Sequence, residues 1–272
     1  LSTAQVAVLS TDVLRAASTS AIQGVGTVQI NALDSSQIQA LTSSQVQALS
    51  STQLNNVETG QVKNLSSAQV QVLTSSQLNV MTSTALQALD TVDVQAIGTA
   101  VMQSLNSNAL NGLASTQIQA LSSTQLKALT TEQLNALGSS AVQALDVDGV
   151  NDLSTTQVGA LSSTQLNRLT TAQVAGLNTG NLKAIGTGAL QGVSTTQLNA
   201  LSSTQVQALT SVQVQALTSN QLNNMDTAQV GFLSSAQAQV LSSNQLNALD
   251  DAALQAIETG DLRAMSTTQI AG

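Results

Sequence analysis

The stretch Leu201-Ser-Ser-Thr-Gln-Val-Gln-Ala208 is followed at once by Leu209-Thr-Ser-Val-Gln-Val-Gln-Ala216. The two octapeptides carry the same kind of residue at every position except the fourth. Counted in eights from Leu1, the frame never slips, and Gly272 closes the thirty-fourth repeat. Since one supersecondary unit repeated along a chain sets the whole architecture, this octapeptide decides the fold.

The consensus of the octapeptide is Leu-Ser/Thr-Ser/Thr-x-Gln-Leu/Val-Gln/Asn-Ala. Position 1 is Leu in 24 repeats, position 3 is Ser or Thr in 32, and position 5 is Gln in 22; position 6 is apolar in all 34, and position 8 is Ala in 18. We therefore predict a single continuous array over residues 1–272. Because the chain begins at Leu1 and not at Met, we expect it to be a segment of a longer protein.

A longer period underlies the octapeptide. Asn occupies position 7 in ten repeats, and seven of these are separated by multiples of 24 residues: Asn31, Asn55, Asn79, Asn151, Asn199, Asn223 and Asn247. Five repeats that lack the Gln show the same spacing: Val13, Ala85, Ala109, Asn181 and Ala253. Three repeats per coil would produce this period, and so would duplication of a 24-residue block.

The residue types within one repeat predict a short helix. Eight residues of continuous helix turn through about 800°, so a long helix would scatter Leu over every face and the chain must bend once per repeat. Position 2 carries residues preferred at N-caps. With the N-cap there, Gln at position 5 completes a capping box, and the apolar residues at positions 1 and 6 form a hydrophobic staple. The helix should span roughly positions 3 to 8.

Charged residues support the same helix direction. Acids stabilise the start of a helix and bases stabilise its end. Seven of the fourteen acids lie at position 2: Asp34, Glu58, Asp90, Asp146, Asp226, Asp250 and Glu258. Five of the six bases lie at position 7: Arg15, Lys63, Lys127, Lys183 and Arg263.

We therefore predict an all-α solenoid of 34 short capped helices, with about three repeats (24 residues) per coil. The alternative is a β-solenoid, because Gln-Val-Gln-Ala alternates with period 2 and Val, Ile and Thr are plentiful. One repeat cannot bury enough apolar surface to fold alone, so neighbouring repeats must stack.

Each position of the repeat has an expected environment. Positions 1, 6 and 8 should line the core, and positions 4 and 7 should face water. For the hydroxyl at position 3, two explanations are open. It bonds to a carbonyl at a neighbouring bend, or it shares the capping role with position 2.

Composition argues against several classes of function. The chain has no His and no Cys, which removes the usual nucleophile–base pairs and zinc ligands, so we predict that it is not an enzyme. A net charge of −8 with six basic residues gives no nucleic-acid footprint. No apolar run approaches the roughly 20 residues of a membrane span, so membrane insertion is not expected.

One repeat departs from the consensus in a way that suggests a metal ion. It reads Leu145-Asp-Val-Asp-Gly-Val-Asn-Asp152. Oxygen ligands from several acids around a Gly are typical of calcium loops. Asp146, Asp148 and Asp152 are therefore a candidate calcium site, although the pattern lacks the 12-residue length and distal Glu of an EF-hand. The other explanation is that Asp146 simply caps a helix.

Long in-frame runs of Leu-Ser/Thr-Thr-x-Gln-Leu/Val/Ile-x-Ala resemble the octapeptide arrays of very large secreted bacterial surface proteins, often labelled adhesins or haem-utilisation proteins. The resemblance covers the whole chain and implies an extracellular, cell-surface location. Since no His or Tyr is present to bind haem, it implies no ligand residues.

The expected function is structural. The array would be a rod or filament segment that serves as an adhesin stalk or a self-assembling fibre, with a second copy or surface carbohydrate as its partner. The alternative is a ligand-binding surface such as ice binding, because regular Ser/Thr pairs at positions 2 and 3 can present hydroxyls at fixed spacing.

Overall fold

The computed structural model describes residues 1–257, 263, 265–267 and 269. Within these residues every regular element is a short α-helix, and no β-strand is present. Contacts divide the chain into two compact units, Leu1–Leu145 and Asp146–Gly272. The α-solenoid is confirmed in this part of the chain, and the β-solenoid alternative is wrong for it.

Helix αn lies in the nth repeat. The helices of the first compact unit are α1 Thr3–Ala7, α2 Thr11–Ala16, α3 Thr19–Gln23, α4 Thr27–Asn31, α5 Ser35–Ala40, α6 Ser43–Ala48, α7 Ser51–Asn55, α8 Thr59–Lys63, α9 Ser67–Gln71, α10 Ser75–Leu78, α11 Ser83–Gln87, α12 Thr91–Ala96, α13 Thr99–Gln103, α14 Ser107–Gly112, α15 Ser115–Gln119, α16 Ser123–Ala128, α17 Thr131–Ala136 and α18 Ser139–Ala144. Those of the second are α19 Val147–Asp152, α20 Thr155–Gly159, α21 Ser163–Arg168, α22 Thr171–Ala175, α23 Thr179–Ala184, α24 Thr187–Gln191, α25 Thr195–Asn199, α26 Ser203–Ala208, α27 Ser211–Ala216, α28 Ser219–Asn223, α29 Thr227–Gly231, α30 Ser235–Ala238, α31 Ser243–Asn247 and α32 Asp251–Ala256.

Every described helix begins at position 3, and in many repeats a capping box fixes that start. In α26, the Ser202 hydroxyl accepts the backbone N–H of Gln205 at 3.3 Å, and Gln205 Oε1 accepts the backbone N–H of Ser202 at 2.8 Å. The two side chains thus satisfy two backbone donors that a helix start leaves without partners. Glu258 of the thirty-third repeat lies outside the described residues.

Two extended residues make the bend between helices. Leu209 and Thr210, at positions 1 and 2, have ψ angles of 134° and 155°. The Leu209 N–H still donates to the Val206 carbonyl at 3.1 Å, so the helix ends in a tight turn. No described residue has a positive φ angle. The bend therefore needs no left-handed residue, which explains why the octapeptide has no fixed Gly or Asn corner.

Stacking brings each helix against the helix three repeats later. In the first compact unit α3 packs on α6, α6 on α9, α9 on α12, α12 on α15, and α15 on α18. The same spacing joins α20 to α23 and α23 to α26 in the second unit. One coil therefore contains three repeats, and the coils of each unit build three parallel columns of helices.

Positions 6 and 1 supply the core, as predicted. Every position-6 side chain from Val6 to Leu246 is buried, while Leu254 is 38% exposed. Position 1 is buried in most repeats after Leu33. The prediction that position 8 belongs to this core is wrong for most described repeats, where the residue is half-buried or exposed.

Position 8 instead lies at the seam between coils, opposite position 3 of the repeat 29 residues earlier. A Cβ added to Gly112 would lie 3.1 Å from the Ser83 hydroxyl. The seam therefore favours a small side chain at position 8, which is a physical reason for the frequent Ala there.

Candidate functional site

The side chain that organises the array is Gln at position 5, and composition alone did not show its full role. Seventeen of these glutamines are buried. Besides closing the capping box, Gln205 donates from Nε2 to the carbonyls of Val174 at 2.9 Å and Leu177 at 2.8 Å. Those carbonyls lie 31 and 28 residues earlier, at a bend of the preceding coil. One side chain thus caps its own helix and ties that helix to the preceding coil.

The hydrogen bonds of Gln at position 5 also bear on the hydroxyl at position 3. Among the described residues, the Ser219 hydroxyl at position 3 donates to the Asn244 backbone carbonyl at 3.2 Å. Most other position-3 hydroxyls face solvent or the coil seam. The bend carbonyls that position 3 was expected to satisfy are bound by Gln at position 5. The structure supports small size at position 3 and gives no account of the preference for a hydroxyl.

Asn at position 7 forms a second set of links between coils. Asn79 Nδ2 donates to the Ser104 carbonyl at 3.0 Å, and its Oδ1 accepts the backbone N–H of Asn106 at 2.8 Å. The repeat that begins at Leu105 has Ala109 in place of Gln, so no glutamine could accept that N–H. Asn111 and Asn151 serve two further repeats without Gln in the same way. This pairing explains why the Asn residues and the missing glutamines share a 24-residue period.

Where Asn and Gln are both present, they compete for the same N–H. Asn199 Oδ1 accepts the backbone N–H of Asp226 at 3.1 Å. Gln229 Oε1, which would otherwise accept it, is buried without a hydrogen-bond partner. The same arrangement leaves Gln61 Oε1 without one beside Asn31. Most Asn side chains at position 7 therefore already form hydrogen bonds within the solenoid.

The predicted calcium ligands are not assembled. Asp146 caps α19 and accepts the Gly149 N–H at 2.7 Å. Asp148 lies in the first turn of α19, and Asp152 ends the helix. Within the described residues, no group of three or more Asp, Glu, His or Cys side chains could hold a metal ion. Asp146 is engaged as the N-cap of α19, which is the alternative explanation of its place in the sequence.

Other charged groups in the described chain lie mainly on the surface. Glu132 is in the first turn of α17, where its own backbone N–H and the Thr130 hydroxyl lower the pKa of its carboxyl group. Asp93 is an exception, because it replaces Gln at position 5 and is buried. It accepts a hydrogen bond from the Ser67 hydroxyl at 2.7 Å and one from the Asp90 backbone N–H at 3.3 Å.

The second compact unit contains an apolar cavity of about 30 Å³ bordered by Val174, Leu182, Leu190 and Val193. This volume is about that of one water molecule. The longest described helices have six residues, so none has the length and apolar character that crossing a membrane requires.

Comparison with known proteins identifies the repeat. The model of the ALTTAQ repeat family matches residues 54–91, 86–123, 118–147, 174–211 and 182–219. The matches together cover 54–147 and 174–219, just over half of the 272 residues. Residues Ala128 to Gln133 read Ala-Leu-Thr-Thr-Glu-Gln, which joins position 8 of one repeat to positions 1 to 5 of the next. No curated protein matches the chain. The chain belongs to the ALTTAQ repeat family.

Proposed function

We propose that the array is a non-catalytic structural segment of a bacterial cell-surface or secreted protein, acting as an adhesin stalk or as part of a fibre. The observation that carries this proposal is the hydrogen bonding between coils. In the described chain, glutamines such as Gln117 and Gln205 hold the bend of the preceding coil at two carbonyls. A solenoid whose coils are cross-linked by buried side chains suits a spacer that must transmit force.

Single-molecule pulling on the full chain tests the load-bearing role. We expect stepwise extension, because each coil of 24 residues releases a contour length of roughly 80 Å when it unfolds. Gln205→Ala should lower the force needed to open its coil. Gln215→Ala, at an exposed position 7 on the following helix, is the matched control. Extension without measurable resistance would contradict the proposal.

Location is tested separately. Antibodies against the array should label intact, unpermeabilised cells that produce the protein, or should detect it in the medium. Labelling that requires permeabilisation would contradict a surface role. A flanking binding domain in the full-length gene would favour the adhesin stalk, and a gene of repeats alone would favour the fibre.

Ice binding stays a prediction, and the structure offers it no particular support. Ser202 and Thr210, like other position-2 hydroxyls, are engaged as helix caps. Only the position-3 hydroxyls remain as a regular row. Thermal hysteresis of the purified chain is the direct measurement.

A further inference from the structure

One column of the first compact unit presents an uninterrupted row of exposed glutamines. The column consists of α3, α6, α9, α12, α15 and α18, which pack on one another in that order. Position 7 of these helices is Gln in every case and exposed in every case: Gln23, Gln47, Gln71, Gln95, Gln119 and Gln143. We call the exposed positions 4 and 7 of these six helices the glutamine face.

The amide groups of this row are mostly unused by the solenoid. Gln47 and Gln95 each donate one hydrogen bond, to the carbonyls of Val72 at 3.1 Å and Ala120 at 2.8 Å. The side chains of Gln23, Gln71, Gln119 and Gln143 have no hydrogen-bond partner in the described part of the chain. The position-7 asparagines of the column that contains α4 and α10 differ, since Asn31 and Asn79 each bond to the next coil through both ends of the amide.

The glutamine face is also almost free of charge. Its six repeats contain two charged residues, Asp90 and the buried Asp93. The repeats of the column that contains α2 and α17 carry six: Asp12, Arg15, Asp34, Glu58, Lys63 and Glu132. Around the glutamines lie small or apolar side chains, including Val92, which is 63% exposed. Positions 4 and 7 of these six helices carry no charged residue.

We propose that the glutamine face is the surface through which two copies of this chain pair side by side. A carboxamide is donor and acceptor at once, so a row of glutamines is complementary to an identical row. Each row has one Gln per coil, so when the glutamines of two copies are aligned at one coil, those at the other coils are aligned as well. A twofold axis across the face makes the contact self-complementary and closed. Ala68 and Val92, both exposed at position 4, supply apolar area at this interface.

This inference goes beyond the proposed function, because a spacer can act as a single chain. A monomeric chain would overturn the pairing and leave the load-bearing role intact.

The test introduces charge into the face without disturbing the helix. Lysine occurs naturally at position 7 in α8, α16 and α23, so the double variant Gln71→Lys/Gln119→Lys should fold as the wild type does. The control is Gln39→Lys/Gln103→Lys, which adds the same charge at exposed position-7 glutamines of the other two columns. Both variants become less negative overall, so net repulsion between copies decreases equally.

Sedimentation equilibrium over a concentration series measures the outcome on the full chain. We expect the wild type and the control to dimerise, and the face variant to associate at least tenfold more weakly. A wild type that stays monomeric up to about 1 mM would overturn the proposal, and so would equal weakening of both variants.

Site-specific crosslinking gives a second measurement. The chain has no cysteine, so Gln71→Cys and Gln103→Cys each provide a single thiol. A short thiol-reactive crosslinker should join two copies of the Gln71→Cys variant far more efficiently than two copies of the Gln103→Cys variant. Equal yields would overturn the assignment of the face.

Discussion

A buried glutamine is the residue on which this solenoid most depends. Gln117 is 2% exposed, and its Oε1 accepts the Ala114 N–H at 2.8 Å. Its Nε2 donates to the carbonyls of Leu86 at 2.8 Å and Leu89 at 2.7 Å. Burying a carboxamide costs free energy unless its groups are paired, and here both ends are paired. The amide therefore stabilises the fold by satisfying three backbone groups that would otherwise lack partners.

Replacing this amide by a carboxylate should be strongly destabilising. Gln117→Glu keeps the size, but it loses both donors and places a charge against two carbonyl oxygens, at a cost of about 3–5 kcal/mol at neutral pH. Burial raises the pKa of the new carboxyl group in the folded state. The penalty is therefore small below the unfolded pKa of about 4.3 and grows as the pH rises toward the folded value.

Urea unfolding at acidic and neutral pH measures this effect. Gln117→Ala should cost about 2–4 kcal/mol at either pH, because it removes hydrogen bonds and packing but introduces no group that titrates. Gln103→Glu, at an exposed position 7, is the control and should change stability little. A Gln117→Glu variant as stable at neutral pH as at acidic pH would show that the side chain is not held between those carbonyls.

A second residue-scale effect couples position 3 to position 8. Val147 is the one Val at position 3. It faces Gly176, where a Cβ would lie in severe contact with Val147 Cγ1 and 2.9 Å from Cγ2. We expect Gly176→Ala to cost about 1–3 kcal/mol through overpacking.

Adding Val147→Ser to Gly176→Ala should restore most of the lost stability, because Ser at position 3 opposite a small residue at position 8 is the usual pair in the array. Gly188→Ala is the control, since nothing lies within 4 Å of its added Cβ and Ala is the better helix former. Thermal melts of the four chains give the comparison. Failure of the double variant to recover would mean that the two positions do not share the seam.

At the scale of the element, local sequence predicted the helix well. Position 2 as N-cap and Gln at position 5 in the capping box are confirmed in repeats such as that of Ser202, and Leu201 and Val206 at the staple positions are both buried. The cap and the capping box are local, because their partners lie three residues apart along the chain. No long-range information was needed to place the helix start.

The repeat of Ala114 is one of several without a side-chain N-cap, and it provides a test at this scale. Ala114 has no side-chain oxygen, so α15 begins with one backbone donor less satisfied than its neighbours. Ala114→Ser should raise the free energy of unfolding by about 0.5–1 kcal/mol, because Ser at an N-cap accepts the N3 backbone N–H. Ala172→Ser, at exposed position 4 of α22, should give no gain. Equal effects on the chemical denaturation midpoint would contradict a capping role.

At the scale of the whole molecule, stability should pass from coil to neighbouring coil. Solenoid repeats contact only their neighbours, so damage at one position is expected to weaken with distance along the array. Val206 in α26 is fully buried, and α26 packs on α23, which packs on α20.

We expect Val206→Ala to cost about 2 kcal/mol or more and to lower hydrogen-exchange protection in a graded way. The loss should be largest in α26, smaller in α23 and smallest in α20. Val212→Ala, at an exposed position 4 of α27, is the control and should leave protection unchanged. A uniform loss across these helices would mean that they unfold as one cooperative block.

The sequence by itself determined the repeat length, the helix within each repeat, the cap and core positions 1 and 6, because each follows from chemistry within eight residues; position 8 was wrongly assigned to the core, because its neighbours belong to another coil. The 24-residue period of Asn79 and its equivalents indicated a coil of three repeats, but duplication of a 24-residue block explained that period equally well. Only the tertiary structure decided that Gln at position 5 binds carbonyls 28 and 31 residues earlier, and that Asn at position 7 replaces it where it is missing. It also showed that Asp146, which looked like part of a ligand set with Asp148 and Asp152 in sequence, caps a helix. These contacts join residues a full coil apart, and their partners become neighbours only when the helices stack.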